Sequence, residues 1–210
     1  MTQRQKLYLP FKRTLDILLS FIALIMLSPL LLIIALLIKI DSKGPVLFKQ
    51  KRVGKNNKYF NIYKFRTMRT DAPKDSATDQ LDNPKAWITK VGSVLRKTSL
   101  DELPQLINIL LGQMSIVGPR PALWNQFNLN ELREQAGVHS IRPGLTGLAQ
   151  INGRDENDDK EKVYWDSIYL KEYSVIFDVK CIINTLISVV KKEGIVEGGI
   201  LNDEKNSNNG

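Results

Sequence analysis

Residues 17–38 contain no charged side chain and only Ser20, Ser28 and Pro29 among otherwise apolar residues. As a straight helix such a run extends about 33 Å, enough to cross a hydrocarbon layer. It exceeds the apolar region of a signal peptide, and no small-residue cleavage pattern closes it. Its flanks constrain it further. Arg4, Lys6, Lys12 and Arg13 precede it, and Lys39, Lys43, Lys49, Lys51 and Arg52 follow, so both ends carry the signal for retention on the cytoplasmic side. Ser28-Pro29 lies at its middle. Proline removes a backbone donor there, and the serine hydroxyl can satisfy a freed carbonyl. Two half-helices of about 15–18 Å each, dipping into one leaflet, fit both facts. A kinked spanning helix, in which proline is tolerated, stays open from these residues alone.

The formal charge of +8 has the same local origin. Residues 1–70 hold 14 Lys and Arg against Asp16 and Asp41, a balance of +12, and the remainder comes to −4. Basic groups that bracket an apolar run suit anionic lipid heads. Zinc-finger spacing, an RNP-like aromatic cluster and a basic zipper are all missing from the sequence, which argues against nucleic-acid binding. Cys181 is the only cysteine and His139 the only histidine. Paired-cysteine zinc sites, intramolecular disulfides and the usual histidine-based nucleophile schemes are thereby excluded. Chemistry must rest on carboxylates, arginines and lysines.

Past the apolar run the period changes. Val46–Gln50 and Lys58–Phe65 are aromatic and β-branched runs around the turn residues of 52–57, which predicts a β-hairpin near the bilayer. Residues 71–85 read as a loop. Helical patterning covers 88–95, 103–111, 123–135, 160–173 and 175–191. Residues 198–210 hold few apolar side chains to bury, Ile200 and Leu201, and read as a disordered tail. Length allows one catalytic unit plus an anchor: a basic N-terminus and anchor over 1–43, a catalytic domain over 44–197 and the tail. The expected class is α+β, mainly helical, with a re-entrant membrane hairpin and a small β-hairpin.

The chemistry concentrates between Arg96 and Pro121. Asp101 and Glu102 are adjacent carboxylates with Arg96 and Lys97 before them and Arg120 after. Pro104 suits a first helical turn, which sets the carboxylates at or just before a helix N-terminus. Free N–H groups favour anions there, and a diphosphate with Mg²⁺ bridging carboxylate and phosphate oxygens fits such a place. A bland alternative competes: Ser99-Leu-Asp-Glu102 also matches a capping box, in which Glu102 supports a helix start and no chemistry. Gly118-Pro-Arg-Pro121 and Arg142-Pro-Gly144 each read, alone, as a rigid turn with one Arg.

In combination these segments resemble the bacterial sugar transferase family, the monotopic phosphoglycosyl transferases. The resemblance runs from about Lys12 to Lys191, through Lys12-Arg-x-x-Asp16, Ser28-Pro29, Gly44-Pro-Val46, Lys51-Arg-Val-Gly54, Lys64-Phe-Arg-Thr-Met68, the Arg96–Gln105 block, Gly118–Pro121, Arg142–Gln150 and Ser174-x-x-x-Asp178. It implies a membrane helix broken at Ser28-Pro29, UDP-sugar and polyprenyl phosphate as substrates, and Mg²⁺ as cofactor. The implied products are a polyprenyl-diphosphate sugar and UMP, the first membrane step of capsule, exopolysaccharide or glycan assembly. By motif position Asp101 resembles the nucleophile, and Glu102 the Mg²⁺-associated carboxylate with Asp101 beside it. Arg96 and Arg120, the latter framed by Pro119 and Pro121, resemble phosphate- and nucleotide-contacting residues. Asp178 resembles a further acidic site residue, and Arg142 and Gln150 join the substrate-binding set. The implied location is the cytoplasmic face of a bacterial inner membrane with both termini cytoplasmic. Implied partners are the lipid bilayer, with downstream glycosyltransferases and a second copy of the chain as further candidates. Two rivals stay open: direct attack by lipid phosphate in a ternary complex, and a non-catalytic polybasic membrane scaffold.

Overall fold

A computed structural model describes residues 2–73, 83–153 and 157–191. Part of the expected 71–85 loop and all of the 198–210 tail lie outside the described residues.

The apolar run belongs to one 39-residue helix, α1 (Gln3–Asp41). Thr2 caps it through a reciprocal capping box with Gln5. Contrary to the expected break, α1 is continuous across Ser28-Pro29. The physical reason is local. Proline at 29 leaves the Ile25 carbonyl without its amide donor, and the Ser28 hydroxyl donates to that same carbonyl at 2.8 Å. The helix is long and apolar enough to cross a membrane, and only 11 % of its most apolar window is buried, unlike the core helix of a soluble protein.

What is buried on α1 forms a narrow stripe. Gln5, Lys12, Asp16, Ser20, Ile34 and Ile38 are buried, and Leu9, Leu24, Leu27 and Leu31 pack against apolar clusters between them. This spacing of three and four is one helix face. Along that face three clusters follow one another. The first centres on Val117, Ile141, Tyr169, Tyr173 and Cys181, the second on Phe60, Ile62, Leu106, Ile109 and Met114, and the third on Phe65 and Leu95 with Ile34 and Ile38. Apolar residues on the other faces are exposed, among them Met26, Leu32 and Ile40.

The expected hairpin is present as β1 (Leu47–Val53) and β2 (Tyr59–Phe65), antiparallel from Leu47↔Phe65 to Val53↔Tyr59. Asn56 and Asn57 take the left-handed conformation in its turn, which asparagine tolerates better than most residues. Four helices follow the expected pattern with shifted starts: α3 (Lys90–Lys97), α4 (Gln105–Leu110), α5 (Phe127–Gln135) and α7 (Asp159–Glu172). The fifth, α8 (Val175–Lys191), keeps its expected bounds. Two single-turn helices are additional, α2 (Pro84–Trp87) and α6 (Leu148–Ile151).

One pairing is absent from the sequence reading. β3 (Ser115–Val117) and β4 (Gly144–Thr146) form a parallel pair that brings the two proline turns side by side. The Gly118 amide donates to Thr146 O and the Gly144 amide to Pro119 O, both at 2.8 Å. The approach requires glycine, since a Cβ at Gly144 would come within 2.1 Å of the Gly118 nitrogen.

Candidate active site

Asp101 and Glu102 lie on a 3-10 turn (Leu100–Glu102), directly before Pro104 and α4, as Pro104 leads one to expect. The capping box does not form. Ser99 is left-handed with φ 56° and its side chain caps nothing. Glu102 turns the other way, toward cations. Its Oε1 accepts from Lys64 Nζ at 2.7 Å and Arg120 Nη2 at 2.8 Å, while among the described residues Oε2 has only Arg120 Nη1 at 3.4 Å. Burial alone would raise the Glu102 pKa, but Arg120 and Lys64 outweigh it and hold the carboxyl well below its ordinary range.

Asp101 is treated differently by its surroundings. It is 9 % exposed and makes no hydrogen bond or ion pair among the described residues. Burial and then repulsion from Glu102 push its pKa up against the pull of Lys64, Arg96 and Arg120, and the net direction is upward. Two neighbouring carboxylates are thus driven apart, one tied down as an anion and the other held without a partner.

The cations arrive from four segments. Arg96 comes from α3, where its Nε donates to Thr67 Oγ1 at 2.8 Å. Gly92, one turn earlier, makes that approach possible, because a Cβ there would meet the Thr67 carbonyl at 2.0 Å. Lys64 comes from β2 and Arg120 from the turn after β3. Arg52, from β1, feels the fields of Arg120 and Glu102, and burial first of all pushes its pKa down. Among the described residues four cations gather around the two carboxylates, a setting suited to a phosphate-bearing ligand.

Lys64 and Arg52 lie outside the residues expected from sequence. Lys64 had a readable signal: Phe60, Ile62 and Lys64 alternate on one strand face, and the first two are core. A lysine continuing an inward-facing series needs a buried anion. Arg52 offers no such pattern.

The turn that carries Arg120 is held from behind. Arg133 Nη1 donates to the Arg120 carbonyl at 2.7 Å and Arg52 Nη1 to the Pro121 carbonyl at 2.9 Å. Arg133 is fixed in turn by Asp166, at 2.9 Å from Nε and 2.7 Å from Nη2, with side chains 4 % and 1 % exposed. Pro119 and Pro121 are buried and act through this rigid turn.

Three expected residues stand apart from the carboxylate pair in their contacts. Asp178, on α8, is buried and accepts from Lys12 Nζ, from Tyr8 OH at 2.8 Å and from Tyr169 OH at 2.7 Å. Arg142 Nε donates to Gly112 O at 2.8 Å, beyond the C-terminal end of α4. Gln150, on α6, donates to Leu145 O at 3.3 Å, and its Oε1 is buried without a partner. Lys12 belongs to a set that ties α1 to the body. Arg13 donates to Ile109 O at 2.6 Å and Leu110 O at 3.1 Å, and Asp16 accepts from Ser115 Oγ at 2.7 Å and the Ile116 amide at 3.1 Å. At the other end Arg66 donates to Ser42 and Pro45, and Asp41 accepts from the Val91 amide.

Among the described residues no group of three or more His, Cys, Asp or Glu converges as a metal cage. Asp101 and the loosely engaged Oε2 of Glu102 still offer hard oxygen donors. That set fits Mg²⁺, which commonly takes one or two carboxylates, keeps waters and draws other ligands from substrate phosphates.

Comparison with known proteins adds an independent line. Residues 7–192 match the sequence profile described as bacterial sugar transferase. The chain is 44 % identical over 190 residues to the exopolysaccharide production protein PSS of Rhizobium leguminosarum bv. phaseoli, covering 86 % of this chain and 95 % of that protein. It is 45 % identical over 182 residues to the UDP-glucose:undecaprenyl-phosphate glucose-1-phosphate transferase of Escherichia coli K12, covering 83 % of this chain and 39 % of that one. To the UDP-N-acetylgalactosamine-undecaprenyl-phosphate N-acetylgalactosaminephosphotransferase of Aeromonas hydrophila it is 40 % identical over 190 residues, 88 % of this chain and 44 % of that one. The chain spans less than half the length of these last two.

Proposed function

We propose a mechanism from one premise: the chain belongs to the bacterial sugar transferase family and is a phosphoglycosyl transferase. It transfers a phospho-sugar from a UDP-sugar to polyprenyl phosphate, giving polyprenyl-diphosphate sugar and UMP. This initiates exopolysaccharide, capsule or glycan assembly. The observation that carries the reading is the split between Asp101 and Glu102, set among Lys64, Arg52, Arg96 and Arg120.

Asp101, buried and without a described partner, attacks the sugar-linked phosphorus. A carboxylate O–P bond forms as the bond to the bridging oxygen breaks, and UMP leaves with that oxygen. The resulting acyl phosphate divides one transfer between two bulky anions into two steps. An oxygen of polyprenyl phosphate then attacks the same phosphorus and releases the Asp101 carboxylate. Glu102 holds Lys64 and Arg120 in place, and Arg96, Arg120 and Lys64 oppose the charge on the equatorial oxygens. Bound at Asp101 and Glu102, Mg²⁺ would neutralise diphosphate charge as a Lewis acid.

We place α1 in one leaflet at the cytoplasmic face of the inner membrane, with the sugar transferase body at head-group level. Both ends of α1 support this. Lys12, Arg13 and Asp16 at one end and Lys39 and Asp41 at the other bind polar groups of one body. A helix spanning the bilayer would set those two ends on opposite aqueous sides. Labels at Thr2 and Asn208 should therefore be accessible from the same side, and opposite accessibility would overturn the one-leaflet placement.

The covalent step is tested with UDP-glucose and UDP-N-acetylgalactosamine in the absence of lipid acceptor. UMP should appear up to one equivalent per enzyme, with a matching gain of one phospho-sugar in intact mass. If UMP forms only when polyprenyl phosphate is present, and no adduct is trapped, direct transfer in a ternary complex replaces it. A complete lack of UMP with either donor, lipid present, removes both donors as substrates.

A further inference from the structure

We infer that a half-open cavity between α1, the hairpin turn, the start of β4 and the end of α7 is a second phosphate-binding site, separate from Asp101 and Glu102. The cavity measures about 20 Å³ and is lined by Lys12, Arg13, Asp16, Lys55, Arg142 and Tyr173, among others. That volume admits one oxygen-sized group, so a phosphate would insert one oxygen and leave the rest of the ion at the mouth.

The side chains around it fall into two sets. Lys12, Arg13 and Asp16 are engaged, with Asp178, the end of α4 and β3 respectively. The Lys55 ammonium, the Arg142 Nη1 and Nη2 groups and the Tyr173 hydroxyl have no hydrogen-bond or ion-pair partner among the described residues. Tyr173 matters most, because the residue is 3 % exposed and its hydroxyl oxygen is buried without a partner. A buried hydroxyl left unmet costs on the order of 1–3 kcal/mol. A single water would satisfy Tyr173 but leave three lining cations outside the Lys12–Asp178 pair, Arg13, Lys55 and Arg142, against the one carboxylate of Asp16. One phosphate oxygen would serve the hydroxyl, Lys55 and Arg142.

Position suggests where the phosphate comes from. Arg13 and Asp16 line the cavity at the point where the charge-free run of α1 begins, at Ile17. The mouth therefore meets lipid head groups if α1 lies in the bilayer as proposed above; the site itself does not rest on that placement. It lies beyond the C-terminal end of α4 while the carboxylates precede its N-terminal end, about 10 Å away by helix rise.

The test reads binding rather than UMP release, in the detergent-solubilised 210-residue chain carrying Arg120→Gln to weaken phosphate binding at the carboxylate site. Inorganic phosphate and dihexanoyl phosphatidylglycerol are titrated separately while the melting temperature is followed. A saturable rise of about 2–5 °C is expected from at least one of them. Adding Lys55→Gln or Tyr173→Phe should shift the midpoint of that rise at least about tenfold upward, the loss of a hydrogen bond to a charged group. A rise with the lipid alone assigns the site to head groups, and a rise with both assigns it to phosphate from either source. Equal midpoints with and without Lys55→Gln and Tyr173→Phe, or no rise with either probe, overturn the site. Tyr173→Phe also reads the unliganded state: if only water occupies the cavity, removing the hydroxyl leaves the midpoint unchanged.

Discussion

Two acidic clusters in this molecule invite comparison, the Asp101–Glu102 pair and Asp178. Both are buried and both meet cations brought from distant segments. At Asp178 the account closes, since one carboxylate takes one lysine and two tyrosine hydroxyls. At Asp101–Glu102 it stays open among the described residues, where Glu102 takes Lys64 and Arg120 while Asp101 has no hydrogen-bond or ion-pair partner. A closed cluster fastens parts of the fold, and an open one is built to be completed by a charged ligand. The difference separates a site from a joint where sequence motifs treat both as acidic positions of interest.

The sharpest way to break the comparison is to neutralise each cluster. Asp101→Asn should reduce UMP release on the order of a thousandfold or more, as removal of a nucleophile does, with the melting temperature close to that of the parent chain. Asp178→Asn should do the reverse. Breaking a buried pair costs about 3–5 kcal/mol, which in a chain of this size lowers the melting temperature by about 6–20 °C. Calorimetry beside UMP assays reads both, and a stable but inactive Asp178→Asn would return that residue to the active site.

Glu102→Gln comes next. It keeps the shape but removes the anion that holds Lys64 and Arg120, and a loss of about a hundredfold in transfer is expected from two charge-assisted contacts. A helix cap would accept Gln without loss, so unchanged activity would revive that role. Arg120→Lys and Arg96→Lys retain charge but lose the planar fork, and each should cost about tenfold in kcat/KM. Arg133→Lys acts one step further out, by loosening the carbonyl of Arg120. A fall of about threefold in kcat/KM with a lower melting temperature is expected, from one weakened buried hydrogen bond.

The smallest effect is in pH. Asp101 must be ionised to attack, and its pKa is raised mainly by burial. In kcat/KM for UMP formation the acid limb should therefore lie above the ordinary aspartate value of about 3.9. Glu102 has the opposite sign. Its pKa is depressed, so its stabilisation is complete above about pH 4.3 and is lost as pH falls through the folded value. A limb at or below pH 3.9 would show that Asp101 is not desolvated in the working enzyme.

Much of the site was legible because its chemistry is local in sequence. Arg96, Asp101, Glu102 and Pro104 lie within nine positions, and Pro104 alone foretells where the carboxylates stand. The hairpin was legible from alternation. The pairing of β3 with β4 was not, since three-residue strands carry too little pattern and their glycines read first as turns. Arg133 with Asp166 was invisible for another reason: 33 positions separate them, and each looks like an ordinary surface charge on a helix. Ser28 donates to the carbonyl that Pro29 frees, and α1 also runs on through Pro10, so continuity past Pro29 was not readable from the proline alone.

The ties that bind α1 to the body also set an order of events during synthesis. Arg13 finds its carbonyls 96 and 97 positions later, Asp16 its amide 100 positions later, and Lys12 waits 166 positions for Asp178. At about 5–20 residues per second, Asp178 is made roughly 8–33 s after Lys12. Until Ile109 is made, the nascent chain carries an apolar helix whose Lys12, Arg13 and Asp16 have only water and lipid heads for company. Its orientation must be decided by the basic flanks before any native contact exists, and the later body then locks whichever orientation it meets.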